Sequence, residues 1–455
     1  MFIRKIYIDS FRGLKNMEIT FSQPTYRYFE KMRVSILVGE NGTGKSTIFQ
    51  LLASLFCPSQ FRNNMEKPIC TVEYKINSDE DIIFDSTGTY PVNYPSKIIV
   101  SSFSAFDPYE QWLSYSSARH LQEREEEEHM TKYVHLGPSN RGYSSFDNVI
   151  EAIIKSFFIT SEKKNDCYYK LLHTIKFRRA IGLIINDYRL REVSRIIERR
   201  EYQIHDVDRA RMLYEELNIK LRELRMINRS RFQNIRTRNQ RGFAIGIEDF
   251  NFELFQLYKE LMEFNIIGPF IKDIIFESES GHEVYLSEMS SGEITMLYRF
   301  LPLVMEIENN AVVLIDEPET HLHPRWTREF ISYLTSLFNE YSVHVLIATH
   351  SPTIAADVPM KCIVGLKNEE GRVYQYKPKD RTLGGHSSEL LRDVFEIEGL
   401  SSLSAIKNMN KITDILERSN PNSQQIIEAR QLFNDLSTTT EKYRLYQKYR
   451  KFLGE

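Results

Sequence analysis

A chain of 455 residues with 42% hydrophobic content can bury a large core, and its length suits one large domain carrying an insertion or two smaller domains. A formal net charge of -3 and a pI near 6.5 exclude any whole-protein argument for nucleic-acid or membrane binding, so such a role must rest on local charge. Cys57, Cys70, Cys167 and Cys362 are scattered without a CxxC pair, which argues against a zinc site or disulfide framework, and no stretch approaches ~20 apolar residues, so a cytoplasmic protein without a membrane segment is expected.

In chain order, Ile3–Ile8 and Met17–Phe21 alternate apolar and polar residues around Arg12-Gly13-Leu14 and predict two antiparallel strands. A buried strand, Val34–Gly39, then runs through a glycine-rich turn into an apolar-periodic helix from Ser46. Further strands are predicted at Val72–Ile76, Asp81–Phe84 and Lys97–Phe103, with Asn77-Ser78-Asp79 as a hairpin turn. Past an acidic run at Glu123–Glu128 the chain becomes helix-forming, with Leu213, Leu217, Leu221 and Leu224 at helical spacing. Residues 146–264 therefore predict a compact helical insertion, too irregular in heptads for a long coiled coil.

Strand character returns at Ile274–Phe276 and Glu283–Leu286, followed by a helix at Ile294–Ile307 and a fully apolar strand at Ala311–Ile315. A helix at Trp326–Phe338 and a buried strand at Val343–Ala348 complete the pattern, which is that of an α/β sheet whose halves flank the insertion. The expected organisation is an N-terminal lobe at 1–145, the insertion at 146–264, a C-terminal lobe at 265–380 and a helical tail at 381–455, with helical stretches at Ser387–Val394 and Gln424–Leu436.

Gly39, Glu40, Asn41, Gly42, Thr43, Gly44, Lys45, Ser46 and Thr47 match GxxxxGK[ST] in the strand–loop–helix setting that a phosphate loop requires. Its glycines let backbone N–H groups curl around the β-phosphate, the helix N-terminus favours negative charge, Lys45 reaches the β- and γ-phosphates, and Ser46 supplies a ligand to Mg²⁺. Alone, the loop supports ATP or GTP binding. The apolar run Val312–Ile315 ends in Asp316 and Glu317, placing one carboxylate to hold the Mg²⁺ water shell and a second to orient or deprotonate the attacking water.

Leu286-Ser-Glu-Met-Ser-Ser-Gly-Glu resembles the signature motif of ABC-type ATPases, Asp316-Glu317-Pro318 resembles their Walker B, and Ala348-Thr-His350-Ser-Pro their switch histidine. Their order, with a long insertion between Walker A and the signature, fits that family. The resemblance implies an α/β ABC-type head with mixed β-sheet lobes, ATP and Mg²⁺ as cofactors, and sites shared within a homo-oligomer of at least two subunits. Ser290, Ser291, Gly292 and Glu293 of one subunit would close in trans over the ATP held by another, with His350 touching the γ-phosphate in cis. Gln111, beyond Ser101-Ser-Phe-Ser-Ala-Phe-Asp107, is the candidate for the family's metal-contacting Q-loop glutamine. His321 and His323 fall in the loop after Walker B and are expected to pack there rather than to bind a metal.

Within that group the short length, Ser-Phe-Ser-Ala-Phe-Asp, Met289-Ser-Ser-Gly-Glu and Glu319-Thr-His-Leu-His-Pro resemble the RecF/OLD-like ATPases of bacterial anti-phage operons, most closely the PtuA-type subunits of Septu systems, with or without a retron. No Asp-x-Asp pair follows His350, so the nuclease site that OLD-type relatives carry there is not expected, and the resemblance implies an HNH nuclease acting as a separate partner subunit. From Lys176 to Arg241 the insertion holds eighteen Lys/Arg against nine Asp/Glu, ending in Arg222, Arg225, Arg229, Arg231, Arg236, Arg238 and Arg241. Two readings of that stripe stay open: a path for a phosphate backbone, or a helix face paired with the acidic run of a neighbouring subunit. A RecF-like DNA-repair ATPase and a nucleotide-regulated assembly protein with little turnover are the alternatives to the defence role.

Overall fold

The computed structural model describes residues 1–22, 29–61, 66–76, 80–88, 91, 93–102, 109, 131–137, 145–158, 161–199, 206–228, 242–264, 270–320, 322–378, 382–385, 390–391, 394–395, 403–417, 421–437 and 440–454. They form two compact units, Met1–Gly385 and His386–Glu455. In the first unit the strands are β1 (Phe2–Phe11), β2 (Leu14–Thr20), β3 (Arg33–Gly39), β4 (Ile69–Lys75), β5 (Ile82–Asp85), β6 (Lys97–Ser102), β7 (Lys132–Leu136), β8 (Phe177–Asn186), β9 (Gly242–Gly246), β10 (Ile271–Ser278), β11 (Glu283–Tyr285), β12 (Val312–Asp316), β13 (His344–Ala348), β14 (Ile363–Glu369) and β15 (Arg372–Tyr376). The helices are α1 (Lys45–Phe56), α2 (Ser145–Ser156), α3 (Glu162–Thr174), α4 (Asp187–Arg199), α5 (Val207–Ile227), α6 (Phe252–Glu263), α7 (Ser291–Glu306), α8 (Pro324–Arg328), α9 (Phe330–Phe338) and α10 (Pro352–Ala355).

The central sheet has seven strands in the order β15-β14-β3-β13-β12-β6-β7, parallel throughout except for the β14–β15 hairpin. Its inner strands are apolar on both faces, as a doubly covered parallel sheet demands; every residue of β6, β12 and β13 is buried. Register aligns Asp316 with Ala348 and Ser102, and Ala348 with Leu37, so β3, β12, β13 and β6 end at one level of the sheet. That carboxyl edge is where open α/β sheets place ligands.

A second, antiparallel sheet β2-β1-β4-β5 packs on α1, and its apolar face merges with the core around Phe49, Leu52, Tyr74 and Phe84. His344, the first residue of β13, ties this sheet to the central one. It is fully buried; its Nδ1 accepts from Ile3 N at 3.1 Å, its Nε2 lies 2.9 Å from Ser35 Oγ, and Phe2 and Phe21 pack their rings against it.

The expectation of an α/β fold with mixed sheets holds. Residues 146–264, however, are not all helical: β8 and β9 interrupt them and join β10 and β11 in a third sheet, β11-β10-β8-β9. Ala180-Ile-Gly-Leu-Ile-Ile185 is rich in β-branched residues and pairs with β10, and that long-range pairing overrides the helical character of the flanking segments. The helix predicted at Trp326–Phe338 divides at Glu329 into α8 and α9. Asn77-Ser78-Asp79 and Glu123–Glu128 lie outside the described residues, as does most of Ser387–Val394.

The second unit contains α11 (Leu403–Leu416), α12 (Ser423–Asp435), α13 (Thr440–Lys448) and α14 (Arg450–Leu453) around a small core of Ile412, Ile415, Leu416, Ala429, Leu436 and Tyr449. An Asn422/Gln425 capping box starts α12. Among the described residues no helix is long and apolar enough to cross a membrane.

Candidate nucleotide site

The phosphate loop leaves β3 at Gly39 and enters α1 at Lys45. Glycine is obligatory at Gly39 because β14 runs alongside: a Cβ there would lie 2.3 Å from the Leu366 carbonyl oxygen. Gly42 and Gly44 take left-handed backbone, with φ of 81° and 82°. Thr43 Oγ1 donates to Glu40 O at 2.8 Å, and Lys45 Nζ donates to Gly39 O at 2.9 Å and Glu40 O at 3.0 Å, so Lys45 braces the loop it belongs to. Burial lowers the Lys45 ammonium to a pKa of about 8, and Asp316, Glu317 and Glu319 oppose that shift.

Asp316 closes β12 and is buried. Burial raises its carboxyl to a pKa of about 6, while nearby Ser46 and Tyr109 pull it back down. Oδ2 accepts from Tyr109 Oη at 2.9 Å, whereas Oδ1 is buried with no hydrogen-bond partner among the described residues. A buried carboxylate with one unpartnered oxygen, with Ser46 near the same carboxyl, offers oxygen donors of the kind that Mg²⁺ takes; Ser46 and Asp316 would hold the ion, which would neutralise charge on the β- and γ-phosphate oxygens.

Glu317 follows in left-handed backbone (φ 48°), an unfavourable conformation for a residue with a Cβ and one that recurs where structure is built for function. Its N–H donates to Ala348 O at 2.9 Å, and its Oε1 stands 3.9 Å from His350 Nε2. That spacing is too long for a hydrogen bond and lets one water bond both groups. Burial, with Lys45 nearby, holds the His350 imidazole below its ordinary pKa.

Two residues that the sequence reading passed over lock this corner. Glu319 Oε1 accepts from Thr349 Oγ1 at 2.8 Å and His350 N at 2.7 Å, fastening the loop after β12 to the loop after β13. Arg299, on α7 and buried, donates to Pro318 O and Thr320 O. A lone arginine among Met296, Leu297, Phe300 and Leu301 on a buried helix face was the available signal, because such a charge must find partners. Tyr109 offered none, standing in a stretch without periodicity.

Ser290–Glu293 starts α7 as a capping box: Ser290 Oγ accepts from Glu293 N at 3.3 Å, and Glu293 Oε2 accepts from Ser290 N and from Ser290 Oγ, both at 2.7 Å. This sharpens the expectation for Ser290, whose hydroxyl is committed within the box. Ser290 and Ser291 are exposed, and Gly292 lies so close to Trp326 that a Cβ would come within 2.9 Å of its Nε1. α8, which follows the loop after β12, and the start of α7 are thereby in contact.

Of the remaining expectations, Gln111, His321 and Arg229, Arg231, Arg236, Arg238 and Arg241 lie outside the described residues. His323 caps α8, its Nδ1 accepting from Arg325 N at 3.2 Å. Arg222 is exposed, whereas Arg225 lies 3.5 Å from Asp187 and 5.0 Å over the Phe243 ring, a tie within the insertion.

Protein ea59 of Escherichia phage lambda is 25% identical over 395 residues, covering 86% of this chain and 59% of that protein. The Septu protein PtuA of Bacillus mycoides is 26% identical over 180 residues, covering 36% of this chain and 24% of that protein. The chain thus spans less than two thirds of the length of either relative. The SMC head domain from Thermotoga maritima superposes with a TM-score of 0.37 at 12% identity, covering 84% of this chain and 100% of that one. Residues 1–355, holding the phosphate loop, Asp316-Glu317 and His350, match the AAA_15 family, and the chain belongs to that family of AAA ATPase domains.

Proposed function

We propose that this chain binds and hydrolyses ATP in sites shared between two subunits, and that the cycle governs a separate nuclease in anti-phage defence. The observation that carries the first part is the convergence of Lys45, Asp316, Glu317 and His350 at the aligned ends of β3, β12 and β13. In this reading Lys45 draws charge from the phosphates, Ser46 and Asp316 hold the cation, Glu317 takes the proton of the attacking water, and His350 positions that water against the γ-phosphate. The exposed N-terminus of α7 supports the shared site, since a helix start facing outward suits the γ-phosphate of a neighbouring subunit's ATP.

In this reading, which the Septu likeness favours, the partner is a separate nuclease of HNH type and the complex is cytoplasmic. Two experiments test the reading. Glu317→Gln should retain ATP binding and lose phosphate release by about a hundredfold or more, as removal of a general base does; an unchanged rate points to an assembly protein instead. Affinity purification from the native locus, with and without ATP, should recover a nuclease, and a solitary gene with no such neighbour counts against the defence role.

A further inference from the structure

Tyr109 is fully buried, its ring packs toward His135, and its hydroxyl serves the one carboxylate that ends β12 beside the phosphate loop. The same hydroxyl lies 3.5 Å from Ser46 O, so a single side chain bridges the two residues that the proposed function assigns to the cation. A buried tyrosine needs a partner for its O–H, and many polar groups would have served. Choosing Asp316 Oδ2 has a consequence: that oxygen is held by the tyrosine, and the other, Oδ1, has no hydrogen-bond partner among the described residues. A carboxylate held in this way presents a single oxygen in a fixed direction. Hydrogen bonds of this kind to metal-binding groups orient them and tune their affinity.

We propose that Tyr109 is the positioning residue of the cation site: it fixes Asp316 through Oδ2 so that Oδ1 meets Mg²⁺ or its waters. This rests on the proposed nucleotide site. Tyr109 bonds the Asp316 carboxylate at 2.9 Å and reaches Ser46 only at its backbone oxygen, 3.5 Å away, so its loss should act on the cation through Asp316 and leave phosphate binding by Lys45 in place. Its loss should therefore separate cation affinity from nucleotide affinity, which a purely structural role would not do.

The test uses the full chain with a non-hydrolysable ATP analogue and Mn²⁺, read by the electron paramagnetic resonance of free Mn²⁺. Tyr109→Phe keeps the ring and removes the donor. It should weaken Mn²⁺ binding to the analogue complex by about tenfold or more, while analogue affinity in EDTA stays within about twofold of wild type, inside the error of an uncoupled pair. Mn²⁺ affinity that does not move, or analogue affinity in EDTA that falls by the same factor, overturns the proposal. Asp316→Asn supplies the second arm. Adding Tyr109→Phe to it should bring little further loss, and fully additive losses would show that Tyr109 does not work through Asp316. If Asp316→Asn itself leaves Mn²⁺ binding intact, the cation site is elsewhere and the nucleotide-site reading fails along with this one. If Asp316→Asn weakens binding and Tyr109→Phe does not, only the role of Tyr109 falls.

Discussion

His344 makes the joint between the two ATPase sheets sensitive to acid. Ile3 N–H donates to Nδ1, so that nitrogen carries no proton; the ring is neutral with its hydrogen on Nε2, donated to Ser35 Oγ. Protonation would set an N–H against the Ile3 N–H inside an apolar box of Phe2 and Phe21, and burial accordingly lowers the pKa from 6.5 to about 3. Below about 6.5 the unfolded chain takes up a proton that the folded one refuses. His344 thus contributes stability that is fully present above about 6.5 and is lost as pH falls toward about 3. Between about pH 7.5 and pH 5 that loss is about 2 kcal/mol for one such group. Urea unfolding of wild type and His344→Gln at both pH values measures it. The variant should be less stable at neutral pH, and its own loss on acidification should be smaller than wild type's by that amount. Equal losses in the two proteins would refute the assignment of a neutral, buried His344.

Two further predictions concern the site. Arg299→Met should cost about 3 kcal/mol, because two backbone carbonyls lose charge-assisted donors, and should depress ATP turnover by loosening the loop that carries Glu317; urea unfolding and phosphate release check both. Asp316→Asn should do the opposite to stability. Its raised pKa of about 6 means that the folded state binds the extra proton between about 4 and 6, so its contribution weakens as pH rises through that window and the bare charge destabilises the fold at pH 7. The variant should be more stable at neutral pH without nucleotide, by up to about 3 kcal/mol, and lose divalent-dependent ATP affinity; a lower melting temperature would contradict the buried-charge account.

The strands that build the site were legible because parallel strands buried on both faces read as unbroken apolar runs, as at Val312–Ile315 and Val345–Ala348, and the phosphate loop because its glycines answer to backbone crowding such as the Leu366 carbonyl over Gly39. What escaped was set by tertiary pairing. Phe177–Asn186 became a strand through its partner β10, nearly a hundred residues on, which no local period announces. Tyr109, Glu319 and Arg299 are ordinary residues whose roles come only from the groups that the fold brings to them. At Ser290–Glu293 the structure shows what the start of a helix requires, a capping box at the head of α7.

The shared site is tested most directly by mixing two inactive chains. Lys45→Ala removes the phosphate-binding lysine and keeps its Ser290–Glu293 motif; Ser290→Arg retains ATP binding and blocks closure. In a mixed dimer one site joins the intact loop of the second chain to the intact motif of the first, so equimolar mixing should restore turnover to about a quarter of wild type if pairing is random and the sites act independently. A mixture no more active than its separate components, with mixed dimers shown to form, would contradict a site built from two subunits.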